Sequence, residues 1–171
     1  KLVSREAAHR YGILHRTSHV WICRLTACGV QILLQKRSEQ KAAFSGCYDV
    51  SSAGHIPAGE DYRASAVREL YEELGVRASP DALRTCGFLD VCWDGTFRGV
   101  PFHDRQVTQV FLLRLQNDAP QNFHLQRSEV SAVRWMELRA CAEAVQCNTM
   151  EHCISLQELR MLERGDRRLQ F

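Results

Sequence analysis

Two apolar runs near the beginning of the chain have the composition of β-strands. Residues 19–25 (HVWICRL) and 29–37 (GVQILLQKR) are rich in β-branched and aliphatic side chains, and a short turn containing a glycine separates them. Residues 48–54 (YDVSSAG) continue the extended character of the chain. We therefore predict consecutive strands over the first third of the sequence.

The hydrophobic period changes after Pro57 and Gly59. Apolar residues then recur every three or four positions, which is the spacing of one helical face. These residues are Ala64, Val67, Leu70, Tyr71 and Leu74. Glycine commonly ends a helix, so the pattern predicts one amphipathic helix that ends at Gly75.

Strand-like patterns return in the second half of the chain. Residues 83–93 (LRTCGFLDVCW) and 105–115 (RQVTQVFLLRL) predict two strands joined by an aromatic loop, residues 94–103 (DGTFRGVPFH). Residues 130–138 (VSAVRWMEL) predict another strand that leads into a helical C-terminus. This order favours an α/β fold, and we expect an α/β/α sandwich with a mixed β-sheet.

The composition, 45% apolar and 25% charged, suits a single domain over residues 1–171. A net charge of +2 gives no basic stripe, so we expect neither nucleic acid nor an acidic membrane surface as a partner. No stretch reaches the roughly 18 apolar residues of a membrane-spanning helix, and residues 1–10 lack a signal-peptide pattern. We expect a cytoplasmic protein. Whether a targeting segment lies upstream of Lys1 stays an open question. The oligomeric state is also open, and a homodimer is one of the options.

The eight cysteines show neither a C-x-x-C spacing nor finger-like clustering with histidine. They are Cys23, Cys28, Cys47, Cys86, Cys92, Cys141, Cys147 and Cys153. A chain of this length can fold on its apolar core, in which cysteine is commonly a small buried residue. We therefore expect free thiols.

Three carboxylates lie near the end of the predicted helix. At about 100° per residue, Glu69, Glu72 and Glu73 share one face, nearly opposite the apolar stripe. The helix macrodipole disfavours negative charge at this end, and Glu69 and Glu73 form a repulsive i,i+4 pair. The cluster is either a solvated acidic face or a site that a positive charge compensates.

The segment around these carboxylates has a specific spacing. Residues 54–76 (GHIPAGEDYRASAVRELYEELGV) resemble the Nudix box. The matching positions are Gly54, Glu60, Arg68, Glu69, Leu70, Glu72, Glu73, Gly75 and Val76. The resemblance implies a Nudix hydrolase domain with the corresponding α/β/α fold.

Carboxylates within one helical turn provide hard oxygen ligands for Mg²⁺ or Mn²⁺, which also bind phosphates. The resemblance to Nudix hydrolases implies that Glu69, Glu72 and Glu73 form the metal site and that one of them serves as the base. It also implies that the Gly54 carbonyl is a metal ligand, whereas an ordinary turn is the alternative.

Glu60 and Arg68 have a supporting role in this interpretation. The resemblance implies that they hold the loop and the glutamates in place. The alternative is an ordinary ion pair between loop and helix.

A further resemblance begins upstream of the box. Residues 35–55 (QKRSEQKAAFSGCYDVSSAGH) are similar to isopentenyl diphosphate isomerases and their Nudix hydrolase relatives. This resemblance implies that Arg37 and Lys41 bind the substrate diphosphate, with a solvated basic turn as the alternative. His19 and His55 match metal-ligand positions of the isomerases, although such histidines are more often ordinary hydrogen-bonding residues.

Two departures argue against isomerase activity. Ala53 stands where the isomerases have their catalytic cysteine, and Gln106 replaces a metal-binding glutamate. Neither replacement supplies the missing proton-transfer or anionic-ligand chemistry, and Cys47 is not at the right position to substitute. The complete box, by contrast, is the hydrolase form.

Other residues could complete the site. Glu129, just before the strand at 130–138, could be a further metal ligand or base, and an exposed loop charge is the alternative. Trp93, Phe97 and Phe102 could stack on a base or cover an apolar group, or they could belong to the core.

The sequence therefore favours a metal-dependent hydrolase that uses activated water. Its expected substrate is the diphosphate linkage of a small nucleoside diphosphate derivative or a related organic diphosphate. The alternatives are an isopentenyl diphosphate isomerase and a non-catalytic diphosphate-binding module.

Overall fold

The computed structural model describes residues 2–116 and 122–165, in which seven strands form one mixed sheet. The strands are β1 (His15–Thr26), β2 (Gly29–Arg37), β3 (Tyr48–Asp49), β4 (Ser52–His55), β5 (Arg84–Phe97), β6 (Val100–Arg114) and β7 (Val130–Glu137). The helices are α1 (Arg5–Tyr11), α2 (Tyr62–Leu74), α3 (Leu138–Gln146) and α4 (Leu156–Gly165). A 3₁₀ turn covers Pro80–Ala82.

Strand β1 is central to the sheet. The main order is β3-β2-β1-β6-β5, with β4 paired to β1 and β7 paired to β2. Strands β1 and β6 are parallel, whereas the other pairings are antiparallel. Because side chains alternate along a strand, Trp21 enters the core on one side of the sheet and Ile22 enters the core on the other.

Helices cover both faces of the sheet, which confirms the predicted α/β/α sandwich with a mixed β-sheet. Helix α2 packs Leu70 and Leu74 against Ile22 and its neighbours. Helices α3 and α4 contribute Leu138 and Leu159 to the core on the Trp21 side. No helix among the described residues combines the length and apolar character needed to cross a membrane.

Local signals set the two ends of α2. The Asp61 side chain accepts hydrogen bonds from the backbone N–H groups of Arg63 and Ala64, each at 2.9 Å. Gly75 ends the helix with φ 71°, a conformation that disfavours a side chain. The predicted C-terminal boundary is therefore confirmed.

The predicted apolar face of α2 is wrong at two positions. Ala64 and Tyr71 are exposed, and the Tyr71 ring lies under the Arg77 guanidinium, 4.6 Å from its carbon. The buried face is rotated toward Ala66 and Glu73, which lie beside Leu70 on the helix. The apolar bulk of Tyr71 suggested burial, but its hydroxyl and its cationic neighbour suit the surface.

The segment predicted as an aromatic loop is mostly strand, so that prediction is wrong. Strand β5 continues to Phe97 and β6 begins at Val100, which leaves only Arg98 and Gly99 between them. Both have positive φ, 51° and 79°, as tight hairpin turns require. The aromatic side chains therefore lie on a long hairpin.

The short helix α1 was not predicted. The Ser4 side chain caps its first turn, and Gly12 follows its end with φ 62°. Seven residues are too few for a clear helical period in the sequence. All eight cysteines are free thiols, as expected.

Candidate active site

A cleft of about 620 Å³ brings most of the predicted site residues together. The predicted residues that line it are Gly54, Glu69, Glu72, Glu73, Glu129, Arg37, Lys41, His19, His55, Ala53, Gln106, Trp93 and Phe102. Glu60, Arg68, Phe97 and Cys47 do not line it. The cleft joins the last turns of α2 and strand β4 to the β5–β6 hairpin.

The three box carboxylates have different environments. The Glu72 side chain is 48% exposed and that of Glu69 is 17% exposed. Glu73 is only 5% exposed, and its Oε2 accepts a hydrogen bond of 3.2 Å from the Ala53 backbone N–H. The prediction that the acidic face is separate from the buried face is therefore wrong for Glu73, because α2 presses this side chain against β4.

Burial changes the proton affinity of two of these groups. Desolvation raises the pKa of Glu73 to about 7, and the nearby Glu69 carboxylate acts in the same direction. Burial also raises the pKa of Glu69, although Arg68 opposes this shift. Glu73 is thus a buried carboxylate whose ionised form would be stabilised by a nearby cation.

Arg68 connects three carboxylates. Its guanidinium lies 2.9 Å from Glu69 Oε1 and 2.9 Å from Glu72 Oε2. A longer contact of 4.0 Å reaches Glu60 Oε2. Arg68 therefore supplies part of the positive charge that the acidic cluster requires, and it fixes the side chains of Glu69 and Glu72.

Gly54 is held close to the metal-site candidates. A Cβ atom on Gly54 would lie 2.3 Å from both Cδ and Cγ of Glu69, which is far inside contact distance. Gly54 pairs with Ser18 across the β4–β1 ladder, so its backbone cannot simply retreat. The close approach of Glu69 explains why no side chain fits at position 54.

Lys41 and Glu129 form a close ion pair within the cleft. The backbone N–H of Ser38 also bonds the Glu129 carbonyl at 2.9 Å, which joins the loop after β2 to the segment before β7. Glu129 also acts electrostatically on Glu69. The predicted phosphate-binding lysine and the predicted additional acid therefore lie together.

Arg37 is more strongly engaged by the protein itself. Its Nη1 donates to Asp49 Oδ2 at 2.9 Å, and its Nη2 donates to the Ala43 carbonyl at 3.1 Å. The exposed fractions of the Arg37 and Asp49 side chains are 15% and 10%. Arg37 reaches the cleft, but much of its hydrogen-bonding capacity is already used.

A histidine cluster lies elsewhere in the cleft region. One ring nitrogen from each of His9, His15 and His55 lies within 4.8 Å of the other two. Asp104 Oδ1 approaches His9 at 3.6 Å and His15 at 3.7 Å. The sequence analysis did not identify His9, His15 or Asp104, because α1, the start of β1 and the Asp104 end of β6 carry no distinctive motif.

The cluster has the chemistry of a metal site. Burial lowers the pKa of His9 to about 4 and that of His55 to about 3, so both rings are neutral at pH 7. Neutral imidazole is the form that binds metal. Two ring nitrogens in the cluster, His9 Nδ1 and His15 Nε2, are buried without a hydrogen bond.

His19 lies outside this cluster. Its Nδ1 is 2.9 Å from Glu158 Oε1, and Glu158 Oε2 accepts a hydrogen bond of 2.8 Å from Trp21 Nε1. The carboxylate raises the pKa of His19 against the effect of burial. Sequence reasoning missed Glu158, which lies 139 residues from His19 along the chain.

Aromatic side chains form one wall of the cleft region. Phe44 contacts Trp93 and Phe97, with ring centroids 5.4 Å and 4.8 Å apart. Phe102 stacks on His9 at 4.3 Å. These rings join the loop before β3 to the β5–β6 hairpin.

Comparison with known proteins identifies the family. A NUDIX domain matches residues 15–153. Nudix hydrolase 3 of Arabidopsis thaliana is 43% identical over 136 residues, which is 77% of this chain but 17% of that protein. An isopentenyl-diphosphate Δ-isomerase of Pectobacterium atrosepticum is 35% identical over 78 residues, which is 46% of this chain and 42% of the isomerase. This chain therefore spans less than two thirds of the length of these curated relatives.

A solved structure supports the fold independently. The crystal structure of a Deinococcus radiodurans protein superposes with a TM-score of 0.65 over 85% of this chain and 81% of that one, at 20% identity. The NUDIX match covers the box, all seven strands and most of the residues that line the cleft. The chain belongs to the NUDIX family.

Proposed function

We propose that this protein is a metal-dependent hydrolase that cleaves the diphosphate linkage of a small organic or nucleoside diphosphate derivative. The observation that carries the proposal is the convergence of Glu69, Glu72 and Glu73 on one cleft beside Gly54. Lys41 lines the same cleft and can provide positive charge for a phosphate.

The donor set fits a divalent ion such as Mg²⁺ or Mn²⁺. Oxygen ligands suit both ions, and the buried Glu73 carboxylate has a raised pKa that a cation would lower. Glu69, Glu72, Glu73 and the Gly54 carbonyl would hold the ion. When bound, it would neutralise phosphate charge and favour ionisation of a water nucleophile.

The remaining residues of the site have separate tasks. Lys41 would leave its ion pair with Glu129 and bind the diphosphate instead. Arg37, which is paired with Asp49, would make a second contact with the diphosphate. Arg68 and Glu60 support the box glutamates. Glu129, freed from Lys41, is a candidate base for the water, as is a box carboxylate.

The histidine cluster favours a second metal site. His55 matches a metal-ligand position of the isomerases, and His9 and His15 complete three nitrogen ligands with Asp104 nearby. Three imidazole nitrogens suit Zn²⁺. In this proposal the cluster accompanies the carboxylate site and does not replace it.

Isomerase activity is the alternative within the same superfamily. Ala53 has no acidic proton to transfer, and the Gln106 amide oxygen accepts a hydrogen bond of 2.9 Å from Thr17. Because its amide is uncharged, Gln106 cannot supply an anionic ligand. A non-catalytic diphosphate-binding module is the other alternative, which the complete carboxylate set disfavours.

One experiment separates these functions. The protein is incubated with Mg²⁺ or Mn²⁺ and a panel of nucleotide sugars, dinucleoside polyphosphates, coenzyme derivatives and isopentenyl diphosphate, and the products are identified by mass spectrometry. Hydrolysis that is lost in Glu69→Gln supports the proposal. Formation of dimethylallyl diphosphate, or bound ligand that stays intact throughout, would overturn it.

A further inference from the structure

The floor of the cleft is formed by two facing strand segments. In the β1–β4 ladder, Thr17 lies opposite His55, and His19 lies opposite Ala53. All four residues line the cleft. Because Ala53 has only a methyl group, the space beside the His19 ring is available to a ligand.

The other polar groups of the floor are already paired. The Thr17 hydroxyl donates to Gln106 Oε1 at 2.9 Å and lies 2.7 Å from Thr108 Oγ1. His55 Nε2 lies 3.0 Å from His9 Nε2. By contrast, within residues 2–116 and 122–165 the His19 ring has a hydrogen-bond partner only at Nδ1.

Glu158 fixes the orientation of His19. Glu158 is 3% exposed, and its two oxygens are occupied by His19 Nδ1 at 2.9 Å and Trp21 Nε1 at 2.8 Å. The carboxylate accepts a hydrogen bond from Nδ1–H, so Nε2 lies on the ring edge directed away from Glu158. The His19 side chain is 18% exposed, which makes this edge available from the cleft.

The free nitrogen restricts the chemistry of a ligand. If the ring is neutral, Nε2 accepts a hydrogen bond, and if the ring is protonated, Nε2 donates one. A hydroxyl group can satisfy either form because it both donates and accepts. A hydrocarbon at the same place would remove water from Nε2 without replacing its hydrogen bond.

We propose that His19, positioned by Glu158, binds a hydroxyl group of the substrate and thereby selects hydroxylated diphosphate esters over hydrocarbon diphosphates. This inference rests on the proposed function, which places the diphosphate at the box carboxylates. The organic part of the substrate then extends over Ala53 toward His19. Glu158 acts through His19 and touches no substrate atom.

A matched pair of ligands tests the selection. Erythrityl diphosphate and n-butyl diphosphate share a four-carbon chain and differ only in hydroxyl groups. Their affinities are measured by isothermal titration calorimetry with Mg²⁺ for the parent protein, His19→Leu and His19→Gln. One hydrogen bond in such a site corresponds to about tenfold in affinity.

We expect the parent to prefer erythrityl diphosphate by about tenfold. His19→Leu should lose this preference through weaker binding of the hydroxylated ligand, while His19→Gln, which can still donate and accept, should retain part of it. An equal preference in the parent and in His19→Leu, with both proteins folded by circular dichroism, would overturn the proposal. A retained preference in His19→Leu but not in His19→Gln would also contradict it.

Two further variants separate positioning from general stability. Glu158→Gln leaves one acceptor oxygen for two donors, His19 Nδ1 and Trp21 Nε1. The preference for erythrityl diphosphate should therefore fall, while the affinity for n-butyl diphosphate stays unchanged. Trp21→Phe removes the other hydrogen bond to Glu158 and should lower the melting temperature without changing the preference. Equal losses of preference in both variants would contradict a positioning role for Glu158.

Hydrolysis is recorded in the same samples. Selective binding without hydrolysis of either ligand, or of the broader panel, would contradict the proposed function and leave the His19 proposal standing. Hydrolysis with unchanged preference in His19→Leu would contradict only the His19 proposal. Binding of neither ligand by the parent would overturn the His19 proposal, and hydrolysis of the broader panel would then decide the proposed function.

Discussion

Glu73 Oε2 accepts a hydrogen bond of 3.2 Å from the backbone N–H of Ala53, so the last turn of α2 is joined to β4 through a buried carboxylate. Both residues line the cleft. The contact keeps Glu73 beside Gly54, where the box glutamates need to converge. Burial between α2 and β4 also removes the carboxylate from water, and this disfavours its charge more than the Ala53 hydrogen bond favours it.

The first prediction concerns the stability of the metal-free protein. Glu73 has a pKa of about 7 in the folded protein, against 4.5 for an unperturbed group. At a pH below 4.5, Glu73 is protonated in both the folded and the unfolded protein, so it causes no loss of stability. As pH rises toward 7, only the unfolded state releases its proton, so the free energy of unfolding falls by roughly 1 to 3 kcal/mol.

Glu73→Gln should remove this dependence. In EDTA, its advantage in melting temperature over the parent should be small near about pH 5 and largest near about pH 8. Glu72→Gln is a matched control, because Glu72 is exposed and paired with Arg68, and it should give no such pH-dependent gain. With saturating Mg²⁺ the advantage should shrink or reverse, since the variant has lost an anionic ligand. The same metal response in the parent and Glu73→Gln, together with near-normal turnover, would exclude Glu73 from the metal site.

The second prediction concerns the contact between Gly54 and Glu69. Gly54→Ala would place a methyl group 2.3 Å from two Glu69 side-chain carbons. We expect a loss of roughly 1 to 3 kcal/mol in stability and a larger fractional loss of metal-dependent turnover, because Glu69 must move. Chemical denaturation and hydrolysis rates measure both effects.

A double-mutant cycle checks the cause of that loss. In a Glu69→Ala background the obstructing side chain is absent, so Gly54→Ala should cost less stability than in the parent. Equal costs in the two backgrounds would show that Glu69 is not the obstacle.

The third prediction distinguishes the two basic residues assigned to the diphosphate. Lys41→Ala should mainly raise the Michaelis constant, since Lys41 can exchange Glu129 for a phosphate. Arg37→Ala should also lower stability, by roughly 2 to 4 kcal/mol, because it leaves the nearly buried Asp49 without its partner. Steady-state kinetics and denaturation of both variants, with Arg37→Ala/Asp49→Ala as the control, test this difference. Unchanged kinetics in Lys41→Ala and Arg37→Ala would show that both residues belong to an ordinary basic turn and do not bind the diphosphate.

The fourth prediction concerns the isomerase alternative. Ala53→Cys should not convert the protein into an isomerase, because Gln106 still lacks an anionic oxygen. Nuclear magnetic resonance of isopentenyl diphosphate incubated with this variant follows the double bond directly. Appreciable dimethylallyl diphosphate from Ala53→Cys, or from the parent, would contradict the hydrolase proposal.

Local signals in the sequence were sufficient to predict the position of the acidic cluster. The helical period and Gly75 placed the box glutamates in the last turns of α2, and alternating strands indicated the sandwich. The burial of Glu73 could not be predicted, because it depends on how α2 packs against β4. The same holds for Glu158, whose partner His19 lies 139 residues away. His9 was missed because the seven-residue helix α1 has too few turns to show a periodic pattern.

The last prediction concerns the histidine cluster. His9, His15 and His55 place their ring nitrogens within 4.8 Å, and the low pKa values of His9 and His55 keep those rings neutral at pH 7. Protein purified without chelators and exposed to Zn²⁺ should therefore bind the ion at this cluster, and its melting temperature should rise with the ion concentration. His55→Ala should reduce the affinity for Zn²⁺ by about tenfold or more, because it removes one of three nitrogen ligands. His124→Ala, a histidine on the segment beside Gly75, is the control and should leave Zn²⁺ binding unchanged. Calorimetric titration of the three proteins gives the affinities, and elemental analysis gives the number of bound ions. Equal Zn²⁺ affinity in the parent and His55→Ala would mean that the three rings are packed against one another without binding a metal.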